Sequence, residues 1–292
     1  MISMKPDKSI HTQKIKIAVS GMKNGKRYTR KIPVLILSPK DPKVRKTNAP
    51  GILWIHGGGY FVGMKEMVHM SRAVDLVKKY GAVVISPGYR LSLQSPYPAA
   101  IKDCYQVLLY LKKNAAQLHI NSNQIMVGGE SAGGGLCAAL CMLARDRGEV
   151  KIAYQMPLYP MLDNLDADTS ADNHGRIWNT RKNHFGWRTY LRKNAKKIVS
   201  PYAAAARQTD YSNLPPAYTF VGDGEPFYRE TLTYIENLKK AGISAEIDIY
   251  HCDMHAFDML KLQSKLAKKA AKVFNQHFQY AMDHYFSEQD DI

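Results

Sequence analysis

The chain has 292 residues, 45% of them hydrophobic and 23% charged, with a formal net charge of +16. That is ample apolar material for one large core, and no apolar stretch is long enough to span a bilayer as a helix. The opening Met1-Ile2-Ser3-Met4-Lys5-Pro6-Asp7 lacks the apolar segment of a secretory signal, so the expected location is the cytoplasm.

The charge is concentrated. Residues 1–47 hold thirteen Lys/Arg against two Asp, and residues 176–197 hold eight Lys/Arg against no acid. No helix-turn-helix, zinc-finger or RNP-like pattern accompanies these runs, so they read as basic surface and no nucleic-acid partner is expected. The cysteines Cys104, Cys137, Cys141 and Cys252 make no C-x-x-C pair and no zinc spacing with histidine. No metal is expected, and Cys137 and Cys141 share a helix face as small buried thiols.

In chain order, residues 14–19 alternate and residues 32–37 follow after a glycine-marked turn, an antiparallel opening pair in which proline makes the second run an edge or a strand start. Residues 40–50 form a loop. Gly51-Ile52-Leu53-Trp54-Ile55 is a short run without alternation, as expected of a strand buried on both faces of a parallel sheet. It runs into His56-Gly57-Gly58-Gly59-Tyr60, whose glycines expose backbone N–H groups with no side chains in the way. Such donors, aimed where an alkoxide-like oxygen forms, are each worth about 3 kcal/mol in a transition state.

A helix over about 70–80, a strand at 82–86 and a helix over about 99–117 lead to the apolar run 124–128. There Gly129-Glu130-Ser131-Ala132-Gly133 joins a strand to a helix of small and apolar residues, the context in which G-x-S-x-G is a nucleophile elbow. Ser131 then stands at a helix N-terminus, where free N–H groups favour developing negative charge. Ile152–Tyr159 is the next strand. Residues 161–215 break the pattern, being polar, basic and aromatic, and are expected to form a cap whose Trp178, Phe185 and Trp187, with Tyr60, line an acyl pocket or pack the cap's own core. The sheet resumes at 217–221, followed by a helix over about 228–241, a strand at 245–250 and a terminal helix over about 260–285. Strand–helix alternation predicts an α/β fold with a mostly parallel sheet covered on both faces. One domain over 1–292 is expected, with a cap to which the N-terminus can contribute.

Acyl transfer by serine needs a base and a carboxylate that holds the base's tautomer. Residues just beyond the C-terminal ends of parallel strands converge on one edge. Three positions fit there: Ser131, an acid after the next-to-last strand (Asp223 or Glu225), and a histidine after the last (His251 or His255). Ser, acid, His is the order of α/β-hydrolases.

His56-Gly57-Gly58-Gly59, Tyr89-Arg90-Leu91, Tyr97-Pro98-Ala99-Ala100 with Asp103, Gly129-Glu130-Ser131-Ala132-Gly133-Gly134, Leu214-Pro215-Pro216, Glu225-Pro226 with Arg229-Glu230, and His255-Ala256-Phe257 together resemble the hormone-sensitive-lipase-like family of esterases. The resemblance spans about residues 50–260. It implies the α/β-hydrolase fold, Ser131 as nucleophile, His255 as base and then acid, and an oxyanion hole of Gly57, Gly58 and the Ala132 N–H. The family's acid is usually an Asp before Pro, and Glu225 stands in that register, with Asp223 as the competitor. His56 is expected to shape the glycine loop, His251 to be structural, and Asp248, Asp253 and Asp258 to be solvated or structural.

The implied activity is cleavage of small short-chain esters through an acyl-enzyme, with no cofactor. The same triad serves amides, peptides or acetylated sugars, and the sequence leaves the leaving group open. A binding protein on this scaffold would be signalled by loss of the histidine, and His255 is present. Oligomeric state is not legible.

Overall fold

The computed structural model describes residues 4–23 and 26–290. A long hairpin comes first: β1 (Ile10–Lys23) and β2 (Lys26–Pro39) pair antiparallel from Ile10↔Pro39 to Lys23↔Lys26. β3 (Ala49–Ile55) is buried along its whole length, and a 3-10 turn at Lys65–Met70 precedes α1 (Ala73–Tyr80). β4 (Val83–Pro87), α2 (Ala99–Lys113), β5 (Ile120–Glu130), α3 (Ala132–Arg147) and β6 (Tyr154–Leu158) follow. Residues 161–215 carry α4 (Asp168–Ala171), α5 (Thr180–Leu191) and two 3-10 turns, with no strand. The chain then returns through β7 (Ala217–Gly222), α6 (Tyr228–Lys240), β8 (Ala245–Tyr250), α7 (Phe257–Leu260) and α8 (Lys265–His284).

The strands form one eight-stranded sheet in the order β1-β2-β4-β3-β5-β6-β7-β8. β2 pairs antiparallel with β1 and β4, and every other pair is parallel. The α/β expectation is met, with two corrections at the N-terminus. The edge strand is β1, whereas β2 is paired on both sides despite Pro33. The Pro33 carbonyl faces β4's end and accepts from Gly88 N–H at 2.8 Å. The N–H and C=O of a strand residue point the same way, so the donor that proline lacks is missed only where the β4 ladder stops. The described N-terminal residues from Ile10 also go into this sheet edge, not into the cap.

The core lies on both faces of the sheet. On one face α2, α3 and α6 pack with the cap residues Trp178, Trp187, Tyr190 and Leu191. On the other, α1 and α8 cover Trp54, Met126, Met156 and Phe220. The expected terminal helix is split, because the chain turns after Leu260 and restarts where the Ser264 hydroxyl accepts from Ala267 N–H at 3.1 Å, an N-cap. Asp103 on α2 is fully buried and holds the loop after β4: Arg90 grips it with Nε (2.9 Å to Oδ2) and Nη2 (2.7 Å to Oδ1), and Arg30 adds a third cationic contact. That cluster accounts structurally for Tyr89-Arg90-Leu91 and Asp103.

Candidate active site

The elbow is built by close approach of β5, α3 and β3. Ser131 has φ 57° and ψ −122°, a backbone state costing on the order of 1–3 kcal/mol that its surroundings must enforce. They do so with three backbone bonds: Ser131 N–H donates to Leu158 O (3.0 Å), and Ser131 O accepts from Gly135 N–H (2.9 Å) and Met161 N–H (3.0 Å). α3 starts directly after the serine and lies so close to β3 that a Cβ at Gly133 would fall 2.0 Å from Ile55 O. Only glycine fits there.

Downstream, β7 ends in the turn carrying Glu225, and β8 empties into the segment carrying His255. His255 Nε2 lies 2.9 Å from Ser131 Oγ, and its Nδ1 contacts Glu225 Oε2. With the carboxylate on Nδ1, the ring proton sits there and Nε2 is free to accept from the serine hydroxyl. Glu225 Oε1 accepts from Gly222 N–H at 3.1 Å, so both carboxylate oxygens are engaged. All three side chains are buried, and Ser131 keeps 7% exposure. Asp223, the competing acid, points elsewhere: its Oδ2 meets His251 Nδ1 at 2.8 Å and its Oδ1 accepts from Cys252 N–H at 3.0 Å. That pair lies at the surface, with the His251 ring fully exposed.

Upstream, β3 delivers the glycine turn to the same place. A Cβ at Gly57 would lie 3.3 Å from Ser131 Cβ. Gly58 has φ 116°, open to glycine and strained for other residues, and a Cβ there would strike Val62 O at 2.1 Å. Among the described residues no oxygen accepts from the N–H groups of Gly57, Gly58 or Ala132. His56 shapes this turn as expected: its Nδ1–H donates to Gly57 O (2.8 Å), and its ring stacks on Tyr89, whose hydroxyl donates to His56 O (2.9 Å). Burial holds His56 down to about 4, so it is neutral at pH 7 and its one ring proton is committed to Gly57 O.

Of the four aromatics expected at the pocket or the cap core, Tyr60, Trp178 and Trp187 are all buried in the core, and Trp178 alone of these also reaches the triad. Tyr60 and Trp187 are buried, and Tyr60 stacks on Tyr190 and donates its hydroxyl to Met161 O at 2.7 Å, tying the cap to the elbow. Their aromatic surface is used up by that packing. Trp178 does approach the triad, its ring centre 6.4 Å from that of His255, whereas Phe185 is exposed on the cap, edge-on to Phe61 at 4.9 Å. The residues that flank the imidazole most closely went unnoticed in the sequence: Tyr159 and Phe227 meet it edge-on, each at 5.1 Å. Tyr159 follows β6 and Phe227 follows the Glu-Pro turn after β7, so the signal available was an aromatic just beyond each strand.

Beneath the triad lies a second acidic layer. Glu130 accepts from Trp54 Nε1–H at 2.8 Å, and burial, with a smaller contribution from the negative charge of Asp258, raises its carboxyl to about 8. Asp258 is also buried; its Oδ1 accepts from the Tyr159 hydroxyl at 2.8 Å, and its Oδ2 faces Arg72 Nε at 3.2 Å. It is structural, not solvated. Among the described residues no cluster of three or more His, Cys, Asp or Glu side chains is placed to hold a metal ion.

A family model described as alpha/beta hydrolase fold matches residues 52–259, the stretch that contains all of these parts. The chain belongs to the α/β-hydrolase family. Curated esterases and solved esterase structures are similar to this α/β-hydrolase. Carboxylesterase NlhH of Mycobacterium tuberculosis is 30% identical over 223 residues, covering 74% of this chain and 69% of the relative. An arylesterase of Saccharolobus solfataricus is 28% identical over 235 residues, covering 77% and 72%. Among solved structures, one titled Bacterial Heroin Esterase superposes with a TM-score of 0.86 at 27% identity, over 96% of this α/β-hydrolase and 86% of that chain.

Proposed function

We propose that the protein is a serine carboxylesterase acting on small, short-chain acyl esters through an acyl-enzyme. The observation that carries the reading is the single line of contacts from Ser131 Oγ through His255 to Glu225. In the first half-reaction His255 Nε2 takes the Ser131 proton as Oγ attacks the ester carbonyl, and then passes it to the departing alcohol. Water enters by the same base and releases the acid. Glu225 holds the Nδ1–H tautomer and stabilises the imidazolium. The uncommitted N–H groups of Gly57, Gly58 and Ala132 surround the position where the carbonyl oxygen becomes an oxyanion.

The small-acyl preference rests on the motif resemblance, and it fits a site in which Phe227 and Trp178 stand close to the imidazole. Residues 161–215 then act as the cap of one catalytic domain. The relatives' names, carboxylesterase and arylesterase, support the same bond, a carboxylic ester.

The test is hydrolysis of p-nitrophenyl esters from acetyl to dodecanoyl by the wild type and by Ser131→Ala. The expected result is kcat/KM falling with acyl length and a loss of about 10⁴-fold or more in the variant. Turnover retained in Ser131→Ala overturns the mechanism, and a profile rising toward dodecanoyl overturns the chain-length reading.

A further inference from the structure

The basic run at 176–197 has no part in the chemistry above, and the fold gives it a definite place. α5 buries Asn183, Gly186, Trp187, Tyr190 and Leu191 and turns Arg181, Lys182, His184, Phe185 and Arg188 outward. The 3-10 turn at Arg192–Lys196 extends that exposed surface through Lys197. Arg181, Arg188, Lys193, Lys196 and Lys197 have no carboxylate partner among the described residues, whereas exposed Lys78, Lys151 and Arg229 are each paired with an aspartate.

Exposed apolar side chains are interleaved with these cations. Ile198 is 99% exposed, and Phe185, Val62, Met64, Leu93 and Leu165 are also out in solvent. Contacts tie Phe185, Val62, Leu93 and Leu165 to α5 and the turn after it, and Ile198 follows Lys197 directly in the chain. Phe185 packs on Phe61 beside Val62, Arg192 donates to the carbonyl of Leu93, and His184 pairs with Asp166, the neighbour of Leu165. α5 itself sits on the glycine turn, since a Cβ at Gly186 would lie 3.0 Å from Gly59 O. The patch therefore lies directly over the glycine turn of the site.

We propose that this face docks on an anionic lipid surface, bringing the glycine turn of the site close to it. Unpaired cations alone suit any polyanion, whereas aliphatic side chains standing in water suit a partner with an apolar interior beneath its charge. Nucleic acid offers phosphates but no use for Ile198, Leu93 or Met64. The readout is binding, so this inference and the esterase reading fail separately.

The experiment is sedimentation of the full chain with phosphatidylcholine vesicles, with and without phosphatidylglycerol. Binding is expected only to the anionic vesicles, weakening as salt rises. At about 1 kcal/mol per basic residue near the surface, the triple variant Lys193→Gln, Lys196→Gln, Lys197→Gln should lose about 100-fold in affinity. Ile198→Ser should lose about tenfold through its apolar term. Both variants should keep wild-type turnover of a soluble acetyl ester, which reports that they fold. The lysine face of α8 is the internal comparison: replacing Lys265, Lys268, Lys269 and Lys272 by Gln should leave vesicle binding in place. Equal binding to neutral and anionic vesicles, no binding to either, or loss in the α8 variant with the cap variant unaffected overturns the proposal. So does binding to duplex DNA in the absence of binding to anionic vesicles.

Discussion

At Glu225 the two carboxylate oxygens have separate duties, Oε2 toward His255 Nδ1 and Oε1 accepting from Gly222 N–H. Glu225→Gln keeps the shape but replaces the negative charge, so kcat on a soluble acetyl ester should fall about 10³–10⁴-fold. Asp223→Asn should change kcat by less than about twofold, because its carboxylate serves His251 and the Cys252 N–H at the surface. Steady-state kinetics of the two variants check this, and a larger loss at Asp223 reverses the assignment. Both acids follow the same strand, so sequence register alone left them as competitors. What separates them is the path of the turn, which carries Asp223 outward and Glu225 beneath the imidazole. Gly58 makes a second test at this scale. Alanine there is strained at φ 116° and collides with Val62 O, so the Gly58 N–H would be re-aimed. A kcat loss of about 10²-fold is expected, the scale of one lost oxyanion donor, with KM changed much less.

Between elements, the contact that matters most is the seating of α3 on β3. Gly133→Ala puts a methyl 2.0 Å from Ile55 O, and backbone on both sides leaves no flexible atom to yield. The expected cost is about 3 kcal/mol or more, read as a lower urea midpoint with little change in slope. The conservative comparison is Gly148→Ala, where no atom lies within 4 Å and only the φ of 68° opposes the methyl. The elements of this scaffold were legible for a plain reason. Buried parallel strands such as Ile52–Ile55 and Val83–Ser86 are continuous apolar runs, and glycine-marked turns punctuate them. The cap was legible only as an interruption. Its aromatics carry no period that separates pocket from core, and Tyr60 and Trp187 turned out to pack while Trp178 reached toward His255. Long-range partners such as Tyr159 and Phe227 leave only a weak local mark, an aromatic just past a strand or its turn, since their role arises from where β6 and β7 end.

On the scale of the whole molecule, the buried acids beneath the triad make global stability depend on pH in a direction that can be worked out. Glu130 has a reference value of 4.5 and is raised to about 8 in the folded chain, chiefly by burial. Between those values the folded chain holds a proton that the unfolded chain has released, so stability is fullest below 4.5 and is lost as pH rises through 8. The whole window corresponds to a loss on the order of 5 kcal/mol for a group this buried. His56 works the other way: lowered from 6.5 to about 4, it costs stability as pH falls through that range. Only above about pH 7.5 is the histidine neutral in both states; below that it adds a slope of opposite sign that is common to wild type and variant, so the difference between the two isolates Glu130. Glu130→Gln keeps an acceptor for Trp54 Nε1–H and removes the titration. The expected result is a Tm that falls more steeply with pH over 6.5–8 in the wild type than in the variant, the difference being the Glu130 contribution, since the buried Asp258 and Glu230, also raised by burial, are common to both proteins. Differential scanning calorimetry across that range measures it, and parallel slopes in the two proteins would show that Glu130 is ionised in the fold.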